Sequence, residues 1–131
     1  MTKTLSWVFG IVLALVGVLG FVPGLTTGGM LLGIFMVGGL HNIIHLVTGL
    51  AVLAAAMGYF APKLFFQIFG VVYGIVTVLG FVTGGAILFE TNMADNLLHL
   101  VIAAVALYAG FLRKESAAAP APSSMGMGAT M

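Results

Sequence analysis

One apolar hairpin is written twice in this chain, and that duplication constrains the fold more than any other feature. Residues 9–24 read FGIVLALVGVLGFVPG and residues 69–84 read FGVVYGIVTVLGFVTG. Ten of the sixteen positions are identical, including the whole run Val18-Leu-Gly-Phe-Val22 against Val78-Leu-Gly-Phe-Val82. Downstream, Asn42-Ile-Ile-His45-Leu-Val47 answers Asn96-Leu-Leu-His99-Leu-Val101. The offset is 60 in the first pair and 54 in the second, so the copies differ by six residues in the stretch between their helices.

Composition names the solvent. Hydrophobic residues make up 62% of the chain and charged residues 5%, with a mean hydropathy of +1.27. A soluble domain carries about 25% charged residues. Seven formal charges cannot wet the surface of 131 residues. A helix needs about 20 apolar residues to cross a bilayer, and four segments qualify: about 5–22, 39–60, 64–84 and 93–112. Asp95, near one end, is the one charge inside them. The expected fold is therefore all-α: an integral membrane four-helix bundle of two tandem hairpins, filling residues 1–115. Both copies enter with the same orientation, as parallel repeats about the membrane normal do. Lys3 ahead of span one resembles a signal peptide, but no small-x-small cleavage site follows and the near-copy lies mid-chain, so span one reads as retained.

Lys3, Lys63, Arg113 and Lys114 all fall at one end of a four-span chain. The positive-inside rule makes that end, with both termini, cytoplasmic. Residues 116–131, rich in Ala, Pro, Ser, Gly and Met without periodicity, read as a disordered tail. Leu31–Val37 is too apolar for a simple loop and reads as an outward extension of span two. Gly10, Gly17, Gly70 and Gly74 read as packing glycines, because small residues let helix backbones approach in lipid. Gln67, Tyr73 and Thr77 give span three a sparse polar edge, read as packing, and Trp7, Tyr59, Phe60 and Tyr108 read as interfacial anchors.

The chemistry-bearing residues are few and patterned. His41 and His45 lie four apart and share a helix face; Asp95 and His99 do the same in the second copy. Asn42 and Asn96 each stand three before the deeper histidine. Each deep histidine sits about six residues inside its span, roughly 9 Å along the axis, so both fall in the outer leaflet. Ionisable side chains there face the bundle interior, where spans two and four can bring them together. Three chemistries fit that set. His41, His45, Asp95 and His99 suit a transition metal, with the asparagines behind them. His45 and His99 suit the two axial positions of a b-type haem. A cofactor-free network of His, Asn and Asp side chains fixes helix register, with Asp95 capping span four. No HExxH, Ser-His-Asp, P-loop or dinucleotide motif is present, no cysteine offers a thiolate, and a net charge of +1 gives nucleic acid no purchase.

The runs GFVPGLTT at 20–27, LLGIFMV at 31–37, LHNIIHLVTGLAVLAA at 40–55 and ADNLLHL at 94–100 resemble a bacterial four-helix membrane family catalogued as domain of unknown function 4383. Its recurring positions map onto His41, Asn42, His45 and Gly49, and onto Asp95, Asn96 and His99. Gly38 departs from the family pattern, which often carries an asparagine there. The resemblance implies four helices in a bacterial inner membrane and no activity. The leading expectation is a non-enzymatic membrane protein, structural or accessory to a larger membrane complex or a homo-oligomer, that meets partners through its lipid-facing helices. The alternative is a metal- or haem-binding protein.

Overall fold

The computed structural model describes residues 2–86 and 88–114. The expected disordered tail at 116–131 lies outside them. Helix α1 spans Thr2–Leu19, α2 Gly39–Ala56, α3 Pro62–Thr83 and α4 Met93–Leu107, the last continuing as a π-helical turn over Tyr108–Leu112. With that turn the four are 18, 18, 22 and 20 residues long, and all are apolar enough to cross a membrane. At 1.5 Å per residue they match a hydrocarbon core of about 30 Å. The chain is a multi-pass all-α membrane protein, and its outward faces carry Ile11, Leu15, Val47, Ile68, Val78 and Val101.

Local chemistry sets the helix ends. Pro62 opens α3 at a position where its missing N–H costs nothing. Gly84, at φ 69°, closes α3 in the left-handed region. Asn92 starts α4 with a capping box, its Oδ1 accepting from Asp95 N while the Asp95 carboxylate accepts from Asn92 N. Gln67 Nε2 donates to Gly110 O at 3.0 Å, serving the π-turn.

The helices pair closely within each hairpin, and glycines mark the seams. A Cβ on Gly17 would stand 2.6 Å from Leu46 N, one on Gly70 2.9 Å from Leu107 N, and one on Gly110 2.7 Å from Gln67 N. Gly10 abuts Leu53 and Gly49 abuts Ala14 in the same way. Gly74, grouped with the packing glycines from sequence, is a correction: it meets nothing within 4 Å and opens on a lipid-facing groove beside Ile75 and Val78. Between the hairpins the backbones stand further apart and rings fill the space. Phe9 sits edge-on to Phe66 at 5.5 Å and to Phe69 at 6.3 Å, and along α3 Phe69 stacks on Phe65 at 5.1 Å.

The stretch 23–38 does not extend α2. It forms a small antiparallel meander of β1 (Thr26–Thr27), β2 (Met30–Leu31) and β3 (Phe35–Met36), in that spatial order. Thr26 faces Leu31, and Leu31 faces Phe35. The turns explain the correction. Gly28 and Gly29 lie at φ 59° and 76°, the two positive values a two-residue hairpin turn requires. Leu32 and Gly33, at 53° and 69°, make the second reversal. Thr26 Oγ1 donates to Gly20 O at 3.2 Å, satisfying a carbonyl at the end of α1.

Candidate metal centre

Three buried histidines meet where the meander covers the bundle. His41 and His45 come from α2 and His99 from α4, and they are 2, 5 and 2% exposed. The ring centroids of His41 and His45 are 4.7 Å apart, those of His41 and His99 5.7 Å, and those of His45 and His99 5.9 Å. One nitrogen from each lies within 4.8 Å of the other two.

Hydrogen bonding assigns two of the three tautomers. His41 Nδ1 lies 3.0 Å from the Met36 carbonyl oxygen, which only accepts, so Nδ1 carries the proton and Nε2 offers a lone pair. His45 Nε2 is 3.0 Å from that lone pair and donates to it. His45 Nδ1 then accepts from the Tyr73 hydroxyl at 3.4 Å. The chain Tyr73–His45–His41–Met36 is closed and self-consistent. His99 stands outside it. Its Nδ1 is buried with no hydrogen-bond partner among the described residues. Leaving such a group unsatisfied costs about 1–3 kcal/mol.

The trio approaches the geometry of a metal site. Imidazole nitrogens sit about 2.0–2.1 Å from zinc, so two ligands in a tetrahedral set stand about 3.4 Å apart. His41 and His45, with Nε2 atoms 3.0 Å apart, are near that spacing once His45 moves its proton to Nδ1 and donates to Tyr73 instead; the other pairs lie within 4.8 Å and close by up to about 1.4 Å on an ion. The Met36 carbonyl behind His41 is the outer partner that fixes a ligating imidazole. A b-type haem does not fit between His45 and His99, because His41 Nε2 occupies the space against the His45 nitrogen that the porphyrin would need.

Asp95 and the asparagines are placed differently from the histidines. Asp95 is 3% exposed, but its Oδ2 accepts from Asn92 N at 2.9 Å and Met36 N at 3.0 Å. It caps α4 and ties β3 to it, and it is not one of the converging ligands. Asn92 Nδ2 adds a second tie, donating to Ile34 O at 2.7 Å. Asn42 and Asn96 face their own hairpin partners, where Cβ atoms on Gly20 and Gly80 would collide with their amides. The glycine C–H that a Cβ would replace points at the amide oxygen in each case, a weak C–H···O contact. Asn96 Oδ1 also accepts from Thr91 Oγ1 at 3.1 Å. Neither asparagine bonds a histidine.

Three contributors escaped the sequence reading: Tyr73, Met36 and Phe89, whose ring stacks on His41 at 4.7 Å and 23°. Tyr73 left a signal. In the aligned hairpins Tyr73 and Thr77 stand where Leu13 and Gly17 stand, two polar replacements four apart on one face. Met36 and Phe89 left none, because a two-residue strand and a loop deliver them.

A family profile described as "Domain of unknown function (DUF4383)" matches residues 3–112. No curated protein and no solved structure matches the chain.

Proposed function

The chain belongs to this DUF4383 family, and from its site we propose that it is a metal-binding membrane protein holding one first-row transition-metal ion on His41, His45 and His99. The observation that carries the reading is the convergence of three imidazoles from two hairpins at a site where the buried His99 Nδ1 has no hydrogen-bond partner among the described residues. Neutral imidazoles suit zinc or copper. Asp95, drawn among the ligands from sequence, acts instead by holding Met36 and through it His41. The basic residues at 3, 63, 113 and 114 lie at the end opposite the centre, and the positive-inside rule favours that basic end as cytoplasmic; this supports an outer-leaflet centre in a bacterial inner membrane.

A second reading has its own support. The closed chain from Tyr73 to Met36 satisfies two histidines without any ion, as expected of a structural or accessory membrane subunit whose polar core fixes helix register. Elemental analysis separates the two, using untagged protein purified in detergent, stripped with chelator and titrated with Zn2+ or Co2+. The metal reading expects one ion per chain, lost in His45→Ala and His99→Ala. Folded wild-type protein that takes up no ion refutes it and leaves the structural reading.

A further inference from the structure

The proposed centre lies within a bilayer, so an ion needs a path to it from water. One cleft of about 230 Å³ ends on a member of the trio. It runs between the start of α2, at Gly38, Gly39 and His41, and the loop carrying Phe89 and Glu90. Two other grooves, beside Val8 and Val12 and beside Val71 and Ile75, are lined by apolar side chains and glycine and lead to no polar group. Resting on the metal-binding reading, we propose that the cleft is the route by which a hydrated divalent cation reaches His41, with Glu90 capturing it at the rim and Phe89 gating the last step.

Four observations support the route. His41 lines the cleft and is also a candidate ligand, so the path ends on the centre itself. Phe89 is half-buried and stacked on the His41 ring, so it covers one face of the ring at the end of the cleft. Glu90 is exposed, and Lys3, Lys63, Arg113 and Lys114 all lie at the far end of the helices, so among the described residues no cation opposes its attraction. Gly38 has φ −153°, an extended value any residue adopts, and a Cβ on Gly38 or Gly39 would meet nothing within 4 Å. What these two glycines contribute is width rather than backbone freedom. Three histidines also leave a tetrahedral ion one position for water.

The test is stopped-flow binding of Co2+ to metal-free protein in lipid nanodiscs, with bound ion per chain measured at equilibrium. Glu90→Gln is expected to slow binding about threefold or more at low salt and to flatten its salt dependence. Gly38→Leu, whose Cβ meets nothing within 4 Å and whose side chain narrows the cleft, slows it further, and Gly38→Ala serves if the larger side chain impairs folding. Phe89→Ala speeds both binding and release. The Glu90 and Gly38 variants retain the wild-type stoichiometry. Unchanged rates at full stoichiometry overturn the route and leave the centre standing. Failure of folded wild-type protein to bind Co2+ overturns both.

Discussion

Gly17→Ala places one methyl group in the seam between α1 and α2, against the turn of α2 that carries Asn42 and Leu46. The new carbon would stand 2.6 Å from Leu46 N, 2.8 Å from the Asn42 carbonyl oxygen and 2.9 Å from Leu46 Cα, where ordinary contact begins at 3.4 Å. All three neighbours are backbone atoms, so no rotamer change relieves the clash. The helices must part locally by about 0.8 Å, the difference between 3.4 and 2.6 Å. Overpacking of this kind costs about 1–3 kcal/mol, and the better helix propensity of alanine returns at most about 1 kcal/mol. A net loss of about 1–2 kcal/mol lowers Tm by roughly 4–8 °C for a chain of this length. Leu46 follows His45 directly, so the displacement reaches the centre. Ligand distances tolerate shifts of only about 0.2 Å, and ion affinity should fall roughly 10-fold or more. Thermal unfolding of metal-free protein in detergent, followed by Co2+ titration, measures both effects. Gly74→Ala is the internal control: with open space around it, its Tm should match or exceed wild type. A Gly17→Ala protein as stable as wild type, or indistinguishable from Gly74→Ala, refutes the close-seam reasoning.

Further outcomes follow from the caps and the topology. Asp95→Asn should leave bound ion per chain unchanged while lowering Tm, because the carboxylate serves the Asn92 and Met36 amides rather than the trio; loss of the ion would return Asp95 to the ligand set. Asn92→Ala removes the α4 cap and the tie to Ile34, and should cost about 1–2 kcal/mol in reversible unfolding. The chain has no cysteine, so single-cysteine labelling is clean. A membrane-impermeant maleimide should label Leu32→Cys in intact bacterial cells and Tyr59→Cys only after permeabilisation; the reverse pattern would invert the proposed orientation.

The four helices were legible because each is a continuous apolar run in a chain with too few charges for water, and in lipid a helix satisfies its own backbone. The residues of the centre were legible for the same reason: His41, His45 and His99 are the only histidines of the chain, and a buried imidazole turns inward. The meander was harder to read. Leu31–Val37 looks like helix by hydropathy, and the decisive signal was the pair Gly28-Gly29 with Gly33, whose positive φ values turn the chain back on itself.

Sequence alone determined the solvent, the number of helices and the small set of side chains able to do chemistry, since each follows from composition and local periodicity. Tertiary structure decided how that set divides. His41 and Asp95 occupy matching places in the two copies, yet one joins the trio and the other caps a helix, because β3 lies beside both and offers a carbonyl to the first and an N–H to the second. Gly17 and Gly74 are equally small, yet only one faces a neighbouring backbone. Matching residues in the two copies see the same local sequence; what differs is which loop or helix lies across from them, and that is settled only when the whole chain is packed.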